Sequence, residues 1–309
     1  MIHLKDVLEA AERIAPFIRR TPLFKAEGRY YKAEFMQHTG SFKPRGSFNR
    51  LLTAREAGDL DTEVGVVCAS GGNAGLAAAH AAATLGVPAT VFVPATAPAM
   101  KVARLRALGA RVHQVGDQYS DAFEAAQRHV AETGATFVHA YDQPAVAAGA
   151  GTIALEILHD LPEVTHIVVA VGGGGLFAGI ATVAAECGVR VVAVEPERAP
   201  TLHEALRAGA PVDVAVSGVA ADSLGARRIG DIAFAAAERA SVTSVLVSDE
   251  EIVAARQSLW DRRRLVVEHG AAAALAGVLS GRSAIDPAAT VAVVLCGANT
   301  DPGSLVTPA

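Results

Sequence analysis

Short runs of β-branched residues alternate with runs rich in alanine and leucine along most of the chain. The strand-like runs are continuously apolar, which is typical of parallel strands that are covered on both faces. They are Val64–Ala69, Thr90–Val93, Arg111–Val115, His166–Val171, Arg190–Val194 and Thr290–Leu295. The helical runs are Ala74–Leu85, Pro98–Leu108, Ser120–Glu132, Leu176–Cys187 and Thr201–Ala208. This alternation predicts an α/β fold with open, mostly parallel sheets in two layers flanked by helices, although the pattern alone leaves a barrel open.

Two long stretches carry no charged side chain, Val64 to Met100 and Thr165 to Ala185. A membrane-spanning helix needs about 20 apolar residues in one helical run. Glycines and prolines interrupt both stretches, so the sequence predicts no membrane span.

Three of the predicted strands run into a loop of small residues, and these loops are Ser70–Asn73, Gly172–Gly175 and Cys296–Asn299. In open parallel sheets, ligands bind outside the carboxyl ends of the strands. We therefore expect the loops to line one site. Domain boundaries are expected near residues 50 and 135, with a large domain of 1–50 and 136–309, a small domain of 51–135 and no regulatory domain.

The composition narrows the class of protein. The 309 residues are 51% hydrophobic and 19% charged, with a net charge of −5. The chain is therefore too apolar for disorder and lacks the basic face that binds nucleic acid. Its three cysteines, Cys68, Cys187 and Cys296, form no CxxC pair, and no secretory leader is recognisable. We expect a cytoplasmic protein without disulfides or structural zinc.

Four consecutive glycines lie between a predicted strand and a predicted helix, and they are Gly172, Gly173, Gly174 and Gly175. Such a loop leaves backbone N–H groups free at a helix N-terminus, where they bind phosphate. A nicotinamide dinucleotide is an alternative, because the segment matches G-x-G-x-x-A up to Ala178 and Glu195 follows at the end of the next strand. An ordinary tight turn is the other alternative.

Lys43 follows the small polar segment Thr39–Phe42 and precedes Pro44, a residue that suits the first turn of a helix. A lysine used in covalent chemistry has to lose its proton, and a helix N-terminus favours the neutral amine. The residues alone leave open whether Lys43 is such a nucleophile or a surface lysine at a loop edge.

Four motifs together resemble the serine/threonine dehydratases, members of the tryptophan-synthase-β-like (fold type II) class of pyridoxal-phosphate enzymes. The motifs are Thr39–Lys43 with Arg45-Gly46, Ser70–Gly75, Val171–Leu176 and Cys296-Gly297, in the order of that family. The similarity extends from about Thr21 to Cys296 and includes Val245–Glu268. It implies that the protein binds pyridoxal 5'-phosphate.

By position, the resemblance assigns a role in cofactor binding to each motif. Lys43 would bind the cofactor covalently and act as the catalytic base, and Phe42 would pack beside the ring. Asn73 would bond the phenolic oxygen of the ring, while the amides of Gly172 to Leu176 would bind the phosphate. Cys296 would face the pyridine nitrogen. A thiol is a neutral and weak partner, which suits prompt loss of a β-hydroxyl better than transamination.

The reaction that the resemblance implies is dehydration and deamination of L-serine or L-threonine to the 2-oxo acid and ammonia. Ser70 and Gly71 would hold the substrate carboxylate, helped by Thr39 or Ser41. Racemases of this class have a serine at the position of Gly71, so racemase activity is not expected. Serine and threonine are not ranked, because one methyl group is worth only ~1–3 kcal/mol in a pocket.

Glu195, with Ala199 and the Leu224–Ala226 segment, resembles a cation site of these enzymes. Thr201 stands where relatives that favour magnesium have an acid, so a monovalent ion such as potassium is expected. The alternative is that Glu195 caps the following helix.

Three other functions stay open. A β-replacing synthase of the same fold is the nearest alternative, and a nicotinamide-dependent dehydrogenase depends on the glycine loop and Glu195 alone. A cofactor-binding protein without turnover is suggested by two departures from the family pattern: Pro44 replaces an aliphatic residue, and the segment between Pro22 and Tyr31 is shorter than usual in the family. We expect a homodimer that acts on a small amino acid.

Overall fold

The computed structural model describes residues 1–305, and in that range ten strands form two sheets. The strands are β1 (Leu23–Ala26), β2 (Arg29–Lys32), β3 (Val66–Ala69), β4 (Ala89–Val93), β5 (Arg111–Gln114), β6 (Thr136–Phe137), β7 (His166–Ala170), β8 (Arg190–Pro196), β9 (Val242–Val247) and β10 (Val291–Val294). One sheet has the order β1-β2-β10-β7-β8-β9 and the other β5-β4-β3-β6. Within the described range all neighbouring strands are parallel except β1 and β2. The predicted α/β class with two mostly parallel sheets is confirmed.

Helices cover both sheets. They are α1 (Leu4–Ile14), α2 (Pro44–Ala57), α3 (Asn73–Leu85), α4 (Ala99–Ala107), α5 (Tyr119–Thr133), α6 (Pro144–Asp160), α7 (Gly175–Cys187), α8 (Thr201–Ala208), α9 (Ala221–Leu224), α10 (Asp231–Arg239), α11 (Asp249–Arg263) and α12 (His269–Leu279). Short 3-10 helices occupy Ala15–Phe17, Glu34–Met36, His38–Gly40 and Pro302–Leu305. In the part of the chain described, no helix is long and apolar enough to cross a membrane.

The predicted strands are all present, and their ends differ from the predicted ends by at most two residues. The sequence analysis missed β6, β9 and the β1–β2 hairpin. The hairpin turns at Glu27 and Gly28, which both have a positive φ, 48° and 76°, as a type I′ turn requires. It occupies the segment between Pro22 and Tyr31 that the resemblance predicts to be short.

The four-stranded sheet shows why its strands are continuously apolar. Val66 and Cys68 contribute to a core on one face, with residues of α2, α3 and α4. Val67 and Ala69 contribute to a second core on the other face, under α5. Successive side chains of a strand point to opposite faces, so a strand covered on both sides has to be apolar at every position.

Helix α2 begins at Pro44, as predicted, and packs closely against α6. A Cβ on Gly46 would lie 2.7 Å from the carbonyl oxygen of Val146, and a Cβ on Gly149 would lie 2.4 Å from that of Arg45. Only glycine allows the two helix backbones to approach this closely. The contact holds the start of α2, and with it the position of Lys43, against the helices of the larger sheet.

Buried ion pairs support the same helix start. The guanidinium of Arg45 donates to the carboxylate of Glu34 at 2.8 and 2.9 Å, and to that of Glu156 at 2.7 and 3.0 Å. The ammonium of Lys32 also pairs with Glu156. Two positive and two negative side chains therefore balance one another, and they join β2, α2 and α6 beneath Lys43.

Candidate active site

The loops that follow β3 and β10 meet the segment before α2. The backbone amide of Phe42 donates to the carbonyl oxygen of Cys296 at 3.0 Å, and Ser41 forms a β-bridge with Gly297. Farther along the same loop, Nδ2 of Asn299 donates to Oδ1 of Asn73 at 2.6 Å. Residues from three distant parts of the chain thus surround Lys43, at the carboxyl ends of parallel strands.

Lys43 is half-buried at the N-terminus of α2, and its Nζ donates to the carbonyl oxygen of Ala140 at 2.6 Å. The same Nζ lies 4.9 Å from the centroid of the Phe42 ring. Burial lowers the pKa of Lys43 to about 8, although nearby acidic groups oppose the shift. An amine with this pKa is partly neutral near pH 8, so it can act as a nucleophile and as a base.

Two buried thiols lie near this amine, those of Cys296 and Cys68. Burial raises the pKa of each thiol to about 12. Both are therefore neutral at physiological pH, when a thiol is only a weak hydrogen-bond partner. Cys68 was not among the predicted site residues, because a buried cysteine within a strand carries no signal of its own.

The Gly172–Leu176 loop presents a row of backbone N–H groups at the N-terminus of α7. Within residues 1–305, none of these amides donates a hydrogen bond to the backbone or to a side chain. Gly174 has a φ of 93°, and a Cβ on Gly173 would lie 2.3 Å from the ring of Tyr141, so both positions require glycine. Free amides at the start of a 13-residue helix favour an anion such as a phosphate.

Two hydroxyl groups close to Lys43 are buried without a hydrogen-bond partner in the described part of the chain, Thr39 Oγ1 and Ser41 Oγ. Thr39 has a φ of 60°, which is uncommon for a residue with a Cβ. Buried polar groups are normally paired, so these hydroxyls fit a polar ligand. A small pocket beside this segment is lined by residues that include Gly71, Asn73, Arg104, Glu268 and Asn299. At its edge, Ser70 Oγ accepts from the amide of Gly72 at 3.2 Å.

Glu268 also belongs to the pocket and was missed by the sequence analysis. Nδ2 of Asn73 donates to its two carboxylate oxygens at 2.9 and 3.0 Å, and the backbone amide of Asn299 donates to Oε1 at 2.8 Å. Burial raises the pKa of Glu268, and the hydrogen bonds from Asn73 and Asn299 oppose this. The sequence offers only a weak indication of this role. Glu268 is the last residue of the segment Val245–Glu268, which belongs to the family resemblance, but the resemblance assigns no function to it.

Basic side chains of α4 contact the rim of the pocket. Lys101 forms a salt bridge with Asp222. Nη2 of Arg104 donates to Oδ1 of Asn299 at 2.5 Å. Neither basic residue stood out in the sequence, where both belong to an ordinary polar helix face.

Glu195 lies in β8, and its carboxylate accepts three hydrogen bonds from the start of α8. The donors are the hydroxyl of Thr201 at 2.9 Å and the amides of Leu202 and His203 at 2.7 and 2.8 Å. Burial raises the pKa of Glu195 to about 7 against these hydrogen bonds. The carboxylate therefore caps α8, with Ala199 in the intervening turn. Residues 1–305 contain no cluster of three or more His, Cys, Asp or Glu side chains suited to a metal ion, and the monovalent-cation site stays a prediction.

Comparison with known proteins decides the family. Residues 14–297 match the family model described as "Pyridoxal-phosphate dependent enzyme". The chain belongs to this family.

Individual members of the pyridoxal-phosphate-dependent family resemble nearly the whole chain. The L-threonine ammonia-lyase of Geobacter sulfurreducens is 39% identical over 306 residues, which cover 96% of this chain and 75% of that protein. Maize serine racemase has a TM-score of 0.91 and 30% identity, over 98% of this chain and 95% of that one. The processed form of threonine deaminase isoform 2 from Solanum lycopersicum has a TM-score of 0.89 and 29% identity, over 98% and 85%.

The residues around Lys43 fit the cofactor of this pyridoxal-phosphate-dependent family. Lys43 supplies an amine of lowered pKa and donates to Ala140, and the adjacent Tyr141 packs against Gly173 of the loop. The amides of that loop, unpaired within residues 1–305, suit a phosphate. The cofactor prediction is confirmed by the family match. The nicotinamide alternative is not favoured, because it depended on the glycine loop and on Glu195, whose carboxylate is used to cap α8.

Proposed function

We propose that the protein is a pyridoxal-phosphate-dependent ammonia-lyase that converts L-serine, L-threonine or both to the 2-oxo acid and ammonia. The observation that carries the proposal is the position of Lys43, whose amine of lowered pKa lies at a helix start beside the neutral thiol of Cys296. The names of the relatives, L-threonine ammonia-lyase and threonine deaminase, support the reaction class.

Lys43 has two tasks in this reaction. It would hold the cofactor in the resting enzyme, and with substrate bound its free Nζ would accept the proton from the substrate Cα. When bound, pyridoxal phosphate withdraws electrons from Cα and makes that proton acidic. The pKa of about 8 leaves a useful fraction of neutral amine near physiological pH.

The remaining motif residues hold the cofactor in place. The amides of Gly172–Leu176 would bind the phosphate, Phe42 would pack beside the ring, and Asn73 would donate to the phenolic oxygen. The thiol of Cys296 faces the ring nitrogen. A neutral thiol at this position would not keep the ring nitrogen protonated, which would favour prompt loss of the β-hydroxyl over transamination.

The substrate carboxylate is placed between two groups of donors. One group is the hydroxyls of Thr39 and Ser41, which have no partner within residues 1–305, and the other is the Ser70–Gly71 backbone. Gly71 has no side chain that could carry a proton to the opposite face of Cα. This favours elimination over racemisation, even though maize serine racemase has a similar structure.

A β-replacing synthase of the same fold would use the same lysine and the same phosphate loop. The two activities differ in the fate of the dehydrated substrate, which a synthase combines with a nucleophile such as sulfide. The relatives named above as lyases and deaminases favour elimination.

Further expectations belong to the same proposal. We propose a cytoplasmic homodimer, with domains divided near residues 50 and 135 and a potassium ion near Glu195 and Ala199. The cysteines Cys68, Cys187 and Cys296 are all free, which suits a reducing compartment. Light scattering coupled to size-exclusion chromatography measures the oligomeric state, and a monomer would contradict the homodimer.

The test uses the full chain purified with pyridoxal phosphate. We expect visible absorption from bound cofactor, which borohydride removes while fixing the cofactor to Lys43, as peptide mapping by mass spectrometry would show. L-serine, L-threonine and 3-hydroxyaspartate are then assayed for 2-oxo acid and ammonia, with and without sulfide. Equal amounts of both products without sulfide support the lyase. Turnover that occurs only with sulfide would favour the synthase. A protein without visible absorption, whose spectrum does not change on treatment with borohydride, would contradict cofactor binding.

A further inference from the structure

Four polar side chains in the pocket form a continuous chain of hydrogen bonds. Nη2 of Arg104 donates to Oδ1 of Asn299 at 2.5 Å, and Nδ2 of Asn299 donates to Oδ1 of Asn73 at 2.6 Å. Nδ2 of Asn73 then donates to the carboxylate of Glu268 at 2.9 and 3.0 Å. The chain runs from α4, at the rim, to the residue before α12.

The two ends of this chain impose one direction on it. A guanidinium group only donates hydrogen bonds. Oε1 of Glu268 accepts from the backbone amide of Asn299, which can only donate, so this oxygen is an acceptor. The amides between them could each turn by half a rotation and exchange nitrogen for oxygen. Because Arg104 can only donate, the side chain of Asn299 has to turn Oδ1 toward it, which leaves Nδ2 to donate to Asn73. Because Glu268 accepts, Asn73 has to turn Nδ2 toward it, which leaves Oδ1 to accept from Asn299. The two ends of the chain therefore favour the same orientation of both amides.

Other contacts of Asn299 favour the same orientation. Its Nδ2 also donates to the carbonyl oxygen of Thr39 at 2.8 Å, an atom that can only accept. Its backbone amide donates to Oε1 of Glu268 at 2.8 Å. The side chain of Asn299 is thus held by a donor on its oxygen and by acceptors on its nitrogen.

The surrounding backbone leaves room for the chain. A Cβ on Gly297 would lie 2.9 Å from Oε1 of Glu268, and a Cβ on Gly40 would lie 3.0 Å from Oδ1 of Asn299. Glu268 is only 6% exposed, and its hydrogen-bond partners are the amides of Asn73 and Asn299. Burying a carboxylate without a directly bonded cation costs free energy. The buried carboxylate is therefore unfavourable for folding by itself, and its contact with Asn73 suggests a role in orienting that amide.

We propose that Glu268 and Arg104 are positioning residues, which together hold the amide of Asn73 so that its nitrogen is offered to the cofactor ring as a donor. The inference rests on the proposed role of Asn73 toward the phenolic oxygen. One hydrogen of Nδ2 serves Glu268, and the second remains for the ring oxygen. If the side-chain amide of Asn73 turned by half a rotation, Oδ1 would replace Nδ2. Oδ1 would then face the carboxylate of Glu268 and the ring oxygen, which both accept hydrogen bonds.

Arg104 is a suitable residue for a test, because its side chain is exposed and its substitution is not expected to prevent folding. Arg104→Lys keeps an end that can only donate, whereas Arg104→Glu can only accept and Arg104→Gln can do both. Arg106→Gln, at an exposed position of the same helix, is the matched control. Each protein is reconstituted with pyridoxal phosphate, and three quantities are measured: the ratio of the two absorption bands of the bound cofactor, the cofactor Kd, and kcat and KM.

We expect Arg104→Lys and Arg106→Gln to keep the wild-type band ratio and cofactor affinity. Arg104→Glu should change the band ratio and weaken cofactor binding by about 5- to 30-fold, the equivalent of ~1–2 kcal/mol, or one hydrogen bond. Its kcat should fall more than its KM rises, with Arg104→Gln between the two. Glu268→Gln, which removes the opposite end without changing the size of the side chain, should shift the band ratio in the same direction.

Two results would overturn the inference. One is a wild-type band ratio, affinity and kcat in Arg104→Glu and Arg104→Gln. The other is an Arg104→Lys variant that behaves like Arg104→Glu, because a retained donor would then have no effect. Failure of the proposed function is a separate result, seen as wild-type protein that takes up no cofactor or yields no 2-oxo acid, and it would remove this inference as well.

Discussion

The Nζ atom of Lys43 donates a hydrogen bond of 2.6 Å to the carbonyl oxygen of Ala140. The next residue, Tyr141, packs against the glycine loop: a Cβ on Gly173 would touch its ring at 2.3 Å, and a Cβ on Gly175 would lie 2.7 Å from its carbonyl oxygen. One short segment between β6 and α6 therefore joins Lys43 to the Gly172–Gly175 loop. A change that moves this segment is expected to affect both.

The substitution Lys43→Ala tests the identity of the reactive lysine. We expect production of 2-oxo acid to fall by at least ~10³-fold, because attachment of the cofactor and transfer of the Cα proton both need this amine. The visible absorption that borohydride abolishes should disappear with it. Lys5→Ala, an exposed lysine on α1, is the control. Retention of colour and activity in Lys43→Ala would mean that another lysine reacts.

The pKa of about 8 at Lys43 predicts how uptake of the cofactor depends on pH. Only the neutral amine attacks the cofactor, so below pH 8 the attachment rate should fall about tenfold for each pH unit. Above about pH 9 the rate should level off, because nearly all of the amine is then neutral. Stopped-flow absorbance of cofactor-free protein mixed with pyridoxal phosphate measures the rate. A rate that keeps rising to pH 10 would indicate an ordinary lysine.

Gly173→Ala should weaken cofactor binding without removing any hydrogen-bond donor. The added methyl group would meet the ring of Tyr141 at 2.3 Å and displace the loop, and we expect a loss of affinity of about tenfold or more. Tyr141→Ala in the same chain removes the clash and should restore part of the affinity. Cofactor titrations of both single variants and the double variant measure the coupling. Additive losses would argue against the steric explanation.

Arg45→Met tests the buried ion pairs beneath the site. The substitution leaves Glu34 and Glu156 without their shared partner, and we expect the free energy of unfolding to fall by ~3–5 kcal/mol. Arg55→Met, at an exposed position near the end of the same helix, should cost only about 0.5 kcal/mol. Urea denaturation of the two variants provides the comparison. Similar losses in both would contradict a special role for the network.

The predicted potassium ion near Glu195 and Ala199 has a direct test. If the ion is part of the site, exchange of potassium for tetramethylammonium at constant ionic strength should lower both activity and thermal stability. Titrating potassium back should restore them with a saturating dependence. Identical behaviour in the two salts would instead support the capping of α8 as the whole role of Glu195.

Local pattern was sufficient for much of the fold. Strands such as β3 and β7 are buried on both faces, so they are apolar at every position whatever their neighbours are. β9 was missed because it lies at the edge of its sheet and contains Thr243 and Ser244 among its apolar residues. The order of the strands could not be predicted, because it depends on which edges of the sheets pair rather than on the composition of any one strand.

The pocket was predicted unevenly for a related reason. Lys43, Asn73 and the glycine loop lie in motifs whose small residues are unusual in themselves. Glu268 and Arg104 lie in segments with ordinary composition, and no short pattern links them to Asn73. For Glu195, the sequence left two roles open, as a ligand of a cation and as a cap of the following helix. The hydrogen bonds that its carboxylate accepts from α8 are those of a helix cap.

The sequence by itself determined the fold class, the family resemblance and the cofactor, because these depend on local hydrophobic pattern and on short motifs. Only the tertiary structure decided the pKa of Lys43, the contact of Ala140 with its amine and the direction of the hydrogen-bond chain from Arg104 to Glu268. These properties depend on burial and on distances between atoms that are far apart in the chain, and both are set when the sheets and helices pack together.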